Sequence, residues 1–185
     1  MSADIPPEKS TSFYVRGLGA DTTFSDILAA IRGVGRIYHL QVSPPTGVHP
    51  GCTAMICFFT RAAAEKFRNQ TLAGFRVKGY NAKVVWNWIL VSEQMKWKNA
   101  SRVLIIRGPD SMVNVTVISE FINKLIPKYD MENIYLKPHE SIQGFSELQL
   151  HFGGFRGQAG RAMVALKRKF RGSGVRITYG DDPCE

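Results

Sequence analysis

Hydrophobic and polar residues alternate between residues 12 and 18, where the sequence reads SFYVRGL. Phe13 and Val15 face one side and Tyr14 and Arg16 the other, because successive side chains of a strand point to opposite faces of a sheet. The alternation predicts a short strand with one face in a core. Its other face offers an aromatic ring and a guanidinium group to a binding partner.

The hydrophobic period then lengthens to that of a helix. Phe24, Ile27, Leu28 and Ile31 recur at helical spacing, and Thr22 or Thr23 can cap the helix at its start. Further alternation and glycine punctuation predict strands over 36–42, 52–59 and 81–88, with a second helix that begins at residue 62. The first half of the chain therefore has the order β-α-β-β-α-β.

The second half repeats this pattern. The stretch LIIRGP over 104–109 keeps an arginine and a glycine, Arg107 and Gly108, but has Ile105 where the first copy has Tyr14. Helical stripes and alternating runs follow in the same order. This indicates an α+β protein of two ferredoxin-like modules, each a four-stranded antiparallel sheet backed by two helices. The predicted boundaries are a flexible N-terminus over 1–11, domains over 12–90 and 101–181, a linker over 91–100 and a tail over 182–185.

Charge and composition limit the class of partner. The chain has 185 residues and a net charge of +9, which favours nucleic acid, an acidic protein or a membrane surface. No apolar run approaches roughly 18 residues, so we expect no membrane partner and an intracellular protein, nuclear or cytoplasmic. The three cysteines and four histidines show no ligand spacing. Neither a nucleophile elbow nor a carboxylate pair stands out, so we expect no cofactor, no metal and no enzyme.

Three stretches of the first copy resemble the RNA recognition motif (RRM) family. FYVRGL matches the strand-one hexamer of that family, GCTAMICF over 51–58 takes the place of its strand-three octamer, and LAGFRVKGYNAKVV resembles its turn into the last strand. The second copy is similar in the order of its elements more than in motif. The resemblance implies that single-stranded RNA binds on the open sheet face, where bases stack on aromatic rings and basic side chains hold phosphates.

The same resemblance assigns the candidate RNA-binding residues. Tyr14 matches the strand-one ring position, whereas the two octamer ring positions hold Thr53 and Met55, and the leading basic position holds Gly51. On the second copy the matching face has no aromatic residue, and Glu147 on it repels phosphate. The complete set predicted to contact RNA is Tyr14, Arg16, Gln41, Thr53, Met55, Lys83, Val85, Asn87, Trp88, Arg107 and Arg176.

Two features leave alternatives open. The missing rings and Ile105 also suit a pair of degenerate modules that bind protein within a ribonucleoprotein or regulatory complex, with a protein partner at the second domain. Between Phe155 and Arg176 the chain has seven basic residues and no acidic one. That run lies on or near the second helix of its module, behind the sheet, where it forms either a separate phosphate contact or a solvated face.

Overall fold

A computed structural model describes residues 5–185 of the chain. The chain divides into two compact units. Unit 1 comprises the residues up to 98 together with Asp182–Glu185, and unit 2 comprises Asn99–Asp181. The last four residues, which the sequence predicted as a tail, thus belong to unit 1, and so does most of the predicted linker.

Unit 1 has a five-stranded antiparallel sheet with strand order β2-β3-β1-β5-β4. The extra strand arises from a hairpin that the sequence analysis took as a turn. Lys78 and Gly79, both with positive φ, form the two-residue connection that suits the twist of paired strands. Its elements are β1 (Ser12–Arg16), α1 (Phe24–Ala30), β2 (Ile37–Ser43), β3 (Thr53–Phe58), α2 (Arg61–Gln70), β4 (Phe75–Val77) and β5 (Tyr80–Trp86).

The core of unit 1 lies between its sheet and its two helices. Phe13 is fully buried at the centre, stacked on Trp86 at 4.2 Å between ring centroids and edge-on to Phe67. Both helices have side-chain caps: Thr23 and Asp26 form a reciprocal capping box at α1, and Thr60 caps α2. Because the inward set of β1 packs on the helices, the alternate set that contains Tyr14 and Arg16 faces away from them.

Unit 2 repeats the plan with a four-stranded antiparallel sheet of order β7-β8-β6-β9. Its elements are β6 (Val103–Pro109), α3 (Val115–Leu125), β7 (Met131–Pro138), β8 (Phe145–Phe152), α4 (Gly160–Lys169) and β9 (Arg176–Tyr179). An irregular turn over Phe155–Ala159, with Gly157 at a φ of 77°, leads into α4. The predicted fold class, two ferredoxin-like modules, is confirmed.

Residues of the predicted flexible N-terminus and of the predicted linker are packed into unit 1. Ser10 and Thr11 are fully buried, and the Thr11 N–H donates to the carbonyl of Val91. The segment 88–94 thereby runs past the start of β1, and the Gln94 N–H then donates to the carbonyl of Phe59 beyond β3. One end of the sheet is therefore crossed by the chain that follows β5.

No helix within residues 5–185 combines the length and apolar character needed to cross a membrane. In the same part of the chain, no three His, Cys, Asp or Glu side chains lie close enough together to hold a metal ion.

Candidate functional site

The open face of unit 1, the face that points away from α1 and α2, places Tyr14 in the middle of a cross-strand row. Tyr14 pairs with Met55 of β3 on one side and with Val85 of β5 on the other, and Met55 pairs in turn with Gln41 of β2. Tyr14, Met55 and Val85 are each partly exposed, and Gln41 is exposed. Four of the predicted residues thus form one continuous strip.

Two cations lie in the next row. Arg16 pairs directly with Lys83 across β1 and β5, and both side chains are exposed. Within the described residues, neither has a carboxylate oxygen within 4 Å. Two positive charges without counter-charges beside an aromatic ring suit an anion that carries a flat ring.

His49, in the loop between β2 and β3, covers one side of the Tyr14 ring. Its Nε2 lies 3.4 Å from the Tyr14 hydroxyl oxygen, and the two rings meet edge to face with centroids 6.4 Å apart. A small turn fixes this histidine, because the His49 carbonyl accepts from the Thr46 N–H and the His49 N–H donates to the Thr46 hydroxyl. The sequence spacing of His49 indicates no metal site, and no sequence pattern places this residue beside Tyr14.

Gly51 explains why the leading basic residue of the octamer is absent. A Cβ atom built on Gly51 would overlap the carbonyl oxygen of Leu18. The neighbouring Cys52 thiol donates to the carbonyl of Ala20, so this end of the loop lies directly against the turn after β1. A side chain at position 51 is excluded by that packing, and the loop supplies His49 to the face instead.

The other end of the open face is closed. Ser12 and Cys57 lie on the same side as Tyr14, yet both are fully buried at the end crossed by segment 88–94. Asn87 is only 4% exposed, and its side-chain oxygen accepts from the Ile89 N–H. Thr53 lies at the opposite end of the face, next to the loop between β2 and β3, and is only 8% exposed. These two predicted residues share the face but offer little surface to a ligand.

Trp88 lies outside the Tyr14 row. It is 84% exposed and lines an apolar cleft of about 560 Å³ together with Trp86, Arg61, Pro7 and Leu90, among others. Trp86 is held between Phe13 and the Arg61 guanidinium, which lies 4.2 Å from its ring centroid. The indole of Trp88 is therefore accessible to a ligand. It lies in a cleft with Trp86, which packs on the helix side of the sheet, and not in the row that contains Tyr14.

The open face of unit 2 carries an aromatic ring that the sequence analysis did not place there. Tyr135 of β7 pairs with Gln149, which pairs with Ile105, which pairs with Thr178. Tyr135 is 52% exposed, and its ring meets the His151 ring edge to face at 5.2 Å between centroids. The expectation that this face has no aromatic was wrong, because the ring sits on the edge strand, outside the motif positions compared.

The carboxylate of Glu147 on this face is paired with two cations. Its carboxylate accepts from Arg107 at 2.5 Å and lies 3.3 Å from the Lys137 ammonium. Although burial by itself raises the pKa of Glu147, hydrogen bonds from Gln149, Arg107 and Lys137 together lower that pKa below its ordinary value. The exposed Arg176 completes the row beside Arg107. The row has three cations and one carboxylate, so Glu147 does not make it repel phosphate.

No protein-family model and no curated protein sequence matches the chain. Among solved structures, it is similar to the first two RRM domains of yeast poly(U)-binding protein, with 16% identity over 92% of this chain and 99% of that chain and a TM-score of 0.37. A Sex-lethal protein–RNA complex is similar at 14% identity over 92% and 99% of the two chains, with a TM-score of 0.36. The RNA-binding domain of Hrp1 in complex with RNA is similar at 13% identity over 94% and 98%, with a TM-score of 0.35. At such identities and TM-scores, the function of this chain has to follow from its own residues.

Proposed function

We propose that the chain binds single-stranded RNA, with the main contact on the open face of unit 1. The observation that carries this proposal is that Tyr14, on the central strand, is partly exposed and lies one row from Arg16 and Lys83. Within residues 5–185, neither cation has a carboxylate oxygen within 4 Å. A nucleotide offers both groups that such a surface accepts, a flat base and an anionic phosphate.

In this proposal a base stacks on Tyr14, and the flanking phosphates contact Arg16 and Lys83. Met55 and Val85 extend the apolar part of the strip to either side, and the Gln41 amide at its end can hydrogen-bond a base edge. Three strand spacings make this strip roughly 14 Å wide, which is room for one or two bases. With one ring in place of three, affinity depends strongly on that ring and on charge.

Replacing Tyr14 by alanine is expected to weaken RNA binding by about 1–3 kcal/mol, roughly 5- to 150-fold, because the variant has no ring on which a base can stack. Fluorescence anisotropy with labelled RNAs of mixed sequence at low salt measures the change. Tyr14→Phe is the matched control, since it keeps the ring and removes only the hydroxyl that faces His49. Equal binding by the alanine variant would contradict the proposed site, and absence of binding by the parent chain would reject the function itself.

A protein partner at unit 2 is the second candidate function, favoured by the exposed edge of its sheet. Ile134, Tyr135 and Leu136 follow one another on the edge strand β7, and each is more than a third exposed. An edge strand leaves backbone groups unpaired, and consecutive exposed apolar residues on it suit strand addition by another chain. A pull-down that retains the same proteins after nuclease treatment, and loses them with Leu136→Lys, would support this function. Recovery of RNA alone would reject it.

A further inference from the structure

The outer side of α4 in unit 2 carries a group of cations that the open-face site does not use. Arg161, Val164 and Arg168 recur at intervals of three and four residues, so they form one exposed stripe along the helix. Lys167 adjoins this stripe and Arg171 follows the helix end, both also exposed. We call Arg161, Lys167, Arg168 and Arg171 the α4 basic group. The opposite side of the helix, with Ala162, Met163 and Leu166, is buried.

The α4 basic group has no counter-charges. In the part of the chain that the structure describes, none of its four side chains has a carboxylate oxygen within 4 Å. Other cations of unit 2 do have them: Arg102 pairs with Glu132, and both Arg107 and Lys137 pair with Glu147. Lys169, next to the group, instead packs its ammonium over the Phe121 ring at 4.5 Å. Four cations without a carboxylate partner therefore lie within eleven residues of the chain, on and just after α4.

Helix stability does not account for the whole group. Lys167 and Arg168 lie in the last turn of α4, where cations interact favourably with the helix dipole. Arg161 lies in the first turn, where a cation is unfavourable, and α4 has no side-chain cap at its start to compensate. Arg161 and the neighbouring like charges repel one another, and a bound anion would relieve that repulsion.

We propose that the α4 basic group binds the phosphate backbone of RNA at a second site, separate from the open sheet faces. The proposal rests on the proposed function, because it assigns further contacts to the same ligand. Three of the four cations are arginines, whose planar guanidinium binds phosphate through two parallel hydrogen bonds. A peptide interface would also require buried aromatic or aliphatic anchors, and the stripe offers only Val164. Such a site contacts phosphates and not base edges, so we expect it to bind RNA independently of base sequence.

The test compares the salt dependence of binding for the full chain and for a variant in which the α4 basic group is replaced by glutamine. The probe is a single-stranded oligouridine of roughly 20 nucleotides, longer than the roughly 4–16 nucleotides that single-strand-binding proteins of another fold class contact per domain, so that nucleotides remain for a second site. The slope of log K against log salt is negative. Its magnitude should decrease by about 0.7 for each phosphate that the variant no longer neutralises, or by roughly 2–3 in total. Tyr14→Ala should weaken binding at every salt concentration and leave this slope unchanged.

A charge-matched control removes four exposed cations elsewhere, also to glutamine, namely Lys66, Arg76, Lys124 and Lys128. This control should decrease the magnitude of the slope by much less than the α4 variant does. If both variants lower it equally, or neither does, the α4 site is rejected while binding by the parent chain still supports the open-face function. If a labelled polyglutamate peptide binds the parent chain but not the α4 variant, while the two chains bind oligouridine with the same salt dependence, the group binds acidic protein and the RNA assignment is overturned. If the parent chain does not bind oligouridine or mixed-sequence RNA at low salt, the function itself fails.

Discussion

Deletion of residues 182–185 is expected to lower the free energy of unfolding of unit 1 by about 2–4 kcal/mol. The Cys184 carbonyl accepts from the N–H groups of Val34 and Gly35, and the Asp182 carboxylate accepts from the Ile37 N–H at 2.8 Å. Each such bond contributes on the order of 1 kcal/mol, and a buried donor left without an acceptor costs about 1–3 kcal/mol. The fully buried Cys184 side chain is also part of the unit 1 core.

Tryptophan fluorescence can follow this destabilisation in the intact chain, because Trp86, Trp88 and Trp97 are its three tryptophans and all belong to unit 1. Urea unfolding should show a lower midpoint with an unchanged slope. Asp182→Ala should reproduce part of the effect, about 1–3 kcal/mol. Removal of Glu185 alone should change stability by only about 1 kcal/mol, since its exposed carboxylate lies 3.7 Å from Arg36 and its N–H donates to the Asp182 carbonyl within the same segment. An unchanged midpoint for the four-residue deletion would show that the segment adds nothing to the unit.

The fold and the centre of the candidate site could be predicted because both depend on local periodicity. Alternation in β1 is enough to separate the buried Phe13 and Val15 from Tyr14 and Arg16, and helical spacing gives the inward residues of α1. Once the strand order of a ferredoxin-like module is assumed, the pairing of Tyr14 with Met55 and Val85 follows from register alone.

What could not be predicted depends on contacts between residues that are distant in sequence. His49 reaches Tyr14 only because its loop packs on the turn after β1, where Gly51 passes the Leu18 carbonyl. The low exposure of Asn87 and the burial of Cys57 reflect the later segment 88–94 and not their own alternation. Asp182 caps Ile37 from 145 residues away. No pattern within a window of ten or so residues contains such information.

Arg102→Ala is expected to destabilise unit 2 by about 3–5 kcal/mol, the usual effect of removing one partner of a buried ion pair. The Arg102 side chain is fully buried just before β6, where its guanidinium donates to Glu132 at 2.6 Å and to the Phe152 carbonyl at 2.8 Å. Glu132 is itself largely buried, so the variant would leave a carboxylate without its cation beside a carbonyl without its donor.

Two optical probes separate this effect from any change in unit 1. Far-ultraviolet circular dichroism should show part of the secondary structure unfolding at lower urea, while the tryptophan transition stays in place because unit 2 contains no tryptophan. Arg161→Ala removes an exposed arginine from the same unit and should change stability by no more than about 0.5 kcal/mol. A double variant, Arg102→Met with Glu132→Leu, should recover much of the stability because it leaves neither charge buried. If Arg102→Ala unfolds at the same urea concentration as the parent by both probes, the buried pair does not stabilise unit 2.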